Sequence, residues 1–251
     1  MRFYKTRTLA LNFQVEIRNE AQIMTELKTQ NEGQLTVLLL MALIPFYLAV
    51  VILHKDSLWT LLNSHTWKAF AALATIGIGP IVCLRAVLRL VINNVSTRWK
   101  ERLAHLRWSH PLPGGRANRL IQSDSRIDFK SLAPEIEMLL DESLSPRERN
   151  VYWYNHIFRP VRDSAAVSNS HRRYLLYREA SAGAFVIFWI TTLFDLVGRA
   201  IYDFPLMTWP AYLFAAIYIL LLIGAANEAG NRMVTGAIAN YTETQFLGGA
   251  K

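Results

Sequence analysis

Residues 183–204 read GAFVIFWITTLFDLVGRAIYDF, and residues 205–226, which follow without a break, read PLMTWPAYLFAAIYILLLIGAA. Crossing roughly 30 Å of hydrocarbon takes about 20 mostly apolar residues in a helix. The second block is long enough and carries no charge, and the first is long enough but holds Asp195, Arg199 and Asp203. Two such blocks meeting at a bend near Phe204 to Trp209 read as a transmembrane hairpin. Upstream, Leu35 to Leu53 is another uncharged run, and Phe70 to Leu84 is an apolar run followed by Arg85 and Arg89. The expected fold is therefore an all-α membrane protein with four transmembrane helices at 34–53, 69–91, 183–204 and 205–228. A mainly helical cytoplasmic domain, 92–182, lies between the second and third.

Composition agrees. Of 251 residues, 52% are hydrophobic, and they fall in uninterrupted blocks rather than at the spacing of a soluble fold. The single cysteine, Cys83, lies inside one block and has no partner in the chain, which excludes a disulfide framework. Lys and Arg number 27 against 19 Asp and Glu. Their placement sets orientation, because basic residues beside spans stay in the cytoplasm. Arg2, Lys5, Arg7, Arg18 and Lys28 precede the first span, whereas the 54–68 loop has only Lys55 and Lys68. Arg98, Lys100 and Arg102 follow the second span, and Arg172, Arg173 and Arg178 precede the third. The expected arrangement puts the N-terminal segment (1–33), the domain and the C-terminal tail (229–251) inside, in a bacterial inner membrane. Trp59, Trp67 and Trp209 then mark the outer interface. The first 33 residues contain no central apolar run, so the first span is expected to serve as its own insertion signal.

Between the spans the patterns are local. Leu9, Leu11, Phe13, Val15 and Ile17 alternate with polar residues, which reads as a short strand with one apolar face. Such a strand must pair with something. It packs on the cytoplasmic domain, or docks on a partner or a second copy, or is instead an amphipathic helix. Asn93 to Ser109 reads as a helix continuing from the second span and stopping at His110-Pro-Leu-Pro-Gly-Gly. Ser145-Pro-Arg-Glu148 has the form of a capping box with proline at the first helical position. The helix it starts should carry Tyr152, Trp153, His156 and Ile157 and end at Pro160. A further helix from about Ser170 should run unbroken into the third span.

The string His110-Pro-Leu-Pro-Gly-Gly-Arg116-Ala117, with Asp124-Ser-Arg-Ile-Asp128, Trp153-Tyr154 and His171-Arg-Arg-Tyr-Leu-Leu176 after it, resembles a pattern of bacterial integral-membrane proteins of no assigned activity. The resemblance spans roughly residues 105 to 182. It implies a defined cytoplasmic domain and assigns no role to any residue.

Asp195, Arg199 and Asp203 stand at i, i+4 and i+8 and share one helix face. At ~1.5 Å per residue Asp195 lies roughly 18 Å into its span, where a carboxylate is costly unless paired or wet. This intramembrane polar face is either an intrahelical ladder that fixes packing or an ion path along a bundle or oligomer axis. At the inner rim, Arg85 and Arg89 match the depth of Glu228, so they bridge to it, with Asn227 and Asn231 nearby, or they reach lipid phosphates. Ala71, Thr75, Gly79 and Cys83 form a small-residue stripe suited to close helix contact. Catalytic templates fail. His105 and His110 lack metal spacing, and no phosphate loop, serine elbow or paired catalytic carboxylates occur. No metal or cofactor is expected, and the partners expected are the lipid bilayer and a protein or a second copy. Arg116, Arg119 and Arg126 form a basic face that the anionic inner leaflet explains better than a nucleotide or nucleic acid. The expected function is non-enzymatic, a membrane anchor or signalling component whose domain binds a protein partner. The alternative is a homo-oligomeric pore or ion-conducting effector using Asp195, Arg199 and Asp203.

Overall fold

The computed structural model describes residues 29–53, 94–107, 109, 111–124, 127, 133–202, 205 and 207–248. Among them every regular element is a helix. In chain order these are α1 (Thr29–Leu53) and α2 (Thr97–His105), then a 3-10 turn (Pro113–Arg116) that runs into α3 (Ala117–Ser123). After them come α4 (Pro134–Leu140), α5 (Pro146–Tyr152), a π-helical turn (Trp153–Phe158) and α6 (Arg159–Val161). Two long helices finish the chain, α7 (Ala165–Tyr202) and α8 (Trp209–Gly248). The expected second span, with Arg85, Arg89 and the small-residue stripe, lies outside the described residues, as does the 9–17 strand.

Three helices, α1, α7 and α8, are long and apolar enough to cross a membrane. The 38 residues of α7 and 40 of α8 extend about 57 and 60 Å at 1.5 Å per residue, roughly twice the hydrocarbon thickness. One half of each therefore belongs to the apolar bundle and the other half to the domain. In the bundle half, large apolar side chains face outward: Phe194 and Ile201 on α7, Phe214 and Leu221 on α8, Ile44 and Ile52 on α1. A water-soluble fold avoids a contiguous exposed apolar band of this kind, and lipid requires it. Inward, Ala42, Ala180 and Ala184 let the helices approach closely, and Leu39, Ile187, Ile219 and Leu222 fill the contact. Tyr218 donates to the Leu38 carbonyl at 2.8 Å, and Asn31 Nδ2 donates to the Arg172 carbonyl at 2.8 Å. With Ala49 packed on Met207 and Ala211 at the other end, α1 runs parallel to α7 and antiparallel to α8. The start of α1, the domain and the end of α8 thus share one end of the bundle.

The domain core gathers Ala117 and Ile121 of α3, Ile136 and Leu139 of α4, Trp153, Ile157 and Phe158 of the π turn, and Val167, Tyr174 and Leu175 of α7. Its remaining wall is α8, through Met233, Val234, Ala237, Ile238 and Tyr241. Residues 229–248, expected as a tail, are therefore a continuous helix inside the domain, because their apolar positions keep the helical period beyond the charged residues at 228 and 232.

Local chemistry sets the remaining boundaries. The capping box forms as the sequence predicts: Glu148 N–H donates to Ser145 Oγ at 3.3 Å, and Ser145 N–H donates to Glu148 Oε2 at 3.0 Å. Arg149, buried, donates from Nε to the Leu139 carbonyl at 2.9 Å and from Nη2 to the Asp141 carbonyl at 2.7 Å. It closes the C-terminal end of α4, where a cation also meets the negative end of the helix dipole. The helix ends at Val161, one residue past Pro160, close to the expected end. Arg159 N–H returns five residues to the Tyr154 carbonyl, and this wider π turn carries the chain past a residue with no N–H. The helix expected over Asn93 to Ser109 is shorter than predicted, since Ser96 is extended and Leu106 takes a left-handed conformation at φ 47° that closes α2.

The two glycines of the Pro-Leu-Pro-Gly-Gly string are explained by a close approach. A Cβ on Gly114 would lie 2.6 Å from the Trp153 ring, and one on Gly115 would lie 2.7 Å from the backbone oxygen of Pro146. The 3-10 turn thus sits directly on the start of α5. Gly115→Ala pushes backbone against backbone, so we expect a loss of about 1–3 kcal/mol of domain stability, read as a lower unfolding midpoint in detergent. An unchanged midpoint would show that the turn is free to shift.

Candidate functional site

Where α7 leaves the apolar bundle it carries Tyr174, Arg178 and Glu179, and at the matching height α8 carries Asn227 and Asn231. α2 is packed on both and contributes Lys100, Glu101 and His105. Lys100, His105, Arg178 and Glu179 are each at most 6% exposed. Charges so enclosed are tolerated only when paired. Lys100 Nζ lies 2.7 Å from Glu179 Oε2, and Arg178 Nη2 donates to Glu179 Oε1 at 2.9 Å. Arg178 Nη1 stands 3.7 Å from Glu101 Oε1, and its guanidinium lies over the Tyr174 ring, 5.8 Å from the centroid. Positive and negative groups alternate along this set, so it is neutral as a whole while fixing α2 to α7. Burial raises the Glu101 carboxyl pKa, with Arg178 and Arg98 acting against it.

His105 continues the layer across to α8. Burial holds its pKa down at about 4; the Asn227 bond opposes this, and Arg116, Arg107 and Arg178 add repulsion. The ring is therefore neutral at pH 7, and its partners choose the tautomer. Asn227 Nδ2 donates to the Ile223 carbonyl at 3.1 Å, which leaves Asn227 Oδ1 to accept from His105 Nδ1–H at 2.8 Å. His105 Nε2 then accepts from the Tyr174 hydroxyl at 3.3 Å. One imidazole thus joins α2, α7 and α8.

This arrangement carries a signed pH dependence. Below pH 6.5 the unfolded histidine takes up a proton that the folded one refuses, so stability is lost as pH falls from about 6.5 towards 4 and is flat above that window. At ~1.4 kcal/mol per pKa unit the full loss is about 3 kcal/mol. Comparing unfolding midpoints at pH 7.5 and 5 in wild type and His105→Asn checks this. The variant should show a smaller drop, and equal drops would remove His105 as the source.

The second polar site is at the far end of the hairpin. Asp195 is 1% exposed and accepts from Met207 N–H at 2.7 Å, Tyr212 Oη–H at 2.8 Å and Arg199 Nε–H at 2.9 Å. Arg199 Nη2 donates to the Met207 carbonyl at 2.5 Å. The i, i+4 pair read from the sequence is present, and it is turned onto the chain that enters α8. Asp203 lies outside the described residues.

Glu228 is exposed and pairs with Arg232 at 2.8 Å, one turn further along α8. Its expected partners Arg85 and Arg89 fall outside the described residues. Of the basic face, Arg116 is brought within electrostatic reach of His105 and Arg107, Arg119 is exposed, and Arg126 lies outside the described residues. The sequence reading placed Asn227 and Asn231 at the rim but missed Glu101, His105, Tyr174 and Glu179. The signal for Glu101 and Glu179 was the opposite-charge doublets Lys100-Glu101 and Arg178-Glu179 beside the spans, and no local signal marked His105 or Tyr174. No protein family, curated protein or solved structure matches this chain.

Proposed function

We propose that this chain is a non-enzymatic anchor or signalling component of a bacterial inner membrane, with four transmembrane helices, both termini inside, and a cytoplasmic helical domain that binds a protein partner. The observation that carries the reading is the continuity of α7 and α8, each shared between the apolar bundle and the domain core. A domain built on the same two helices as the bundle has no hinge there, so a force or a binding event on one side is felt on the other. The buried charge layer at their junction resists slippage between α2 and the two stalks. Basic residues near that level, exposed Arg98 and Arg173 among them, support the inward placement. The pore alternative draws less support, because the Asp195 carboxylate is committed to three donors of its own hairpin.

The test is site-directed photocrosslinking in intact membranes from Val151 and Tyr154, two exposed positions on the domain. A reproducible crosslink to one cytosolic protein is expected. Only a ladder of self-crosslinks would move the reading to a homo-oligomer. Deleting residues 1–19 should then abolish capture if Leu9, Leu11, Phe13, Val15 and Ile17 form the docking strand.

A further inference from the structure

Among the described residues of the junction, Lys100 and Arg178 pair with carboxylates, and Arg116 does not. Arg116 ends the 3-10 turn as a partly exposed residue, yet its Nε and Nη2 are buried and make no hydrogen bond. These two nitrogens carry the N–H bonds of a single edge of the guanidinium, the fork with which arginine grips planar or tetrahedral oxyanions. The same edge of Arg199 is filled within this chain by Asp195 and the Met207 carbonyl. For Arg116 no such acceptor is provided. Glu179 is taken by Lys100 and Arg178, Glu101 faces Arg178, and the groups acting on Arg116 are Arg107, which repels it, and Tyr174.

His105 stacks on Tyr174, and Pro113 of the 3-10 turn packs beside Tyr174 on Gly230 of α8, so Arg107 and Arg116 extend from neighbouring segments beside a neutral imidazole, with no carboxylate among the described residues paired to the Arg116 fork. Leaving buried donors unpaired beside a like charge is costly, and an anion relieves both terms at once. Height in the molecule narrows the class of anion. His105 contacts Asn227, the first residue after the uncharged block that ends at Ala226, so the pair sits at the edge of the apolar bundle. Phospholipid phosphates lie at that level, and basic pockets between helices are suited to acidic headgroups.

We propose that Arg107 and Arg116 form a binding site for a phosphate oxyanion at the boundary between the bundle and the domain. The phosphate is supplied by an anionic phospholipid or by a soluble phosphate. A tetrahedral group with several free oxygens spans two guanidiniums, which a single carboxylate does less well. Arg107, exposed, meets the anion first, and the Arg116 fork engages as its guanidinium turns outward. Occupation ties the turn, α2 and the bilayer surface together, and so stabilises the folded chain by mass action. The site does not depend on the protein partner proposed above.

The experiment uses the full chain in mild detergent and follows thermal unfolding and native mass spectra with phosphatidylglycerol or with inorganic phosphate added. Wild type should be stabilised by at least one of them and should retain it in the gas phase. A response to phosphatidylglycerol alone identifies the headgroup as source, and a response to inorganic phosphate identifies a soluble one. Arg116→Gln should weaken binding at least about tenfold. Arg116→Lys, which keeps the charge and loses the fork, should fall between, and exposed Arg119→Gln should bind as wild type. If Arg116→Gln fails to fold, Arg107→Gln supplies the same readout. No stabilisation of wild type by either phosphate source, or unchanged binding in the Arg116 and Arg107 variants, overturns the proposal.

Discussion

Glu179→Ala is expected to lower the stability of the folded chain by about 3–5 kcal/mol, the usual consequence of removing one member of a buried ion pair. The substitution leaves Lys100 and Arg178 enclosed without their shared carboxylate, with Glu101, 3.7 Å from Arg178, as the remaining acidic group facing Arg178. The loss should show in α2 first, since Lys100 is the member that α2 contributes. Hydrogen exchange of residues 97–105 should therefore accelerate more than that of the bundle half of α7. The double variant Lys100→Met/Glu179→Gln should recover much of the stability, because it removes both charges of the buried Lys100–Glu179 pair and keeps an acceptor for Arg178. A loss below about 1 kcal/mol in the single variant would place the pair among solvated surface bridges and end its role in fixing the domain to the hairpin.

Asp195→Asn is the second large effect. An amide in place of the carboxylate turns an NH2 towards at least one of three donors, and bonds to a charged acceptor are worth about 1.5–3 kcal/mol each. The expected cost is about 2–4 kcal/mol, with reduced protein level in the membrane. This also separates the two functional readings. A staple at the hairpin turn predicts loss of stability and of protein level. A conducting role predicts altered ion flux in reconstituted vesicles with protein level intact, and that result would restore the pore reading.

The two long helices of the apolar hairpin were legible because length and a high share of apolar residues suffice for them. The Asp195 to Arg199 pair was legible because its partners are one turn apart. The Ser145 cap was legible for the same reason, being contained within four residues. What joins distant segments was not. His105 meets Tyr174 and Asn227 across 69 and 122 positions, and no local period announces such a contact. The extension of α8 to Gly248 lay between these cases. Met233, Ala237 and Tyr241 repeat every four residues, but Glu228 and Arg232 mark the end of a membrane span and so conceal that the helix goes on. The helix end at Pro160 was legible to within one residue, because a proline lacks the N–H that a further α-turn needs, whereas the π turn just before it left no local signal.

The central claim, a helical domain on the cytoplasmic side built on helices that continue through the bilayer, is tested most directly by cysteine labelling in a Cys83→Ser background. Single cysteines at Glu142, Leu193 and Leu220 sample the domain surface and the outward faces of α7 and α8 in the bundle. A membrane-impermeant maleimide should leave all three unlabelled in intact cells and should label only Glu142→Cys once the inner membrane is opened. Labelling of Glu142→Cys from outside, or ready labelling of Leu193→Cys and Leu220→Cys in intact membranes, would contradict the account.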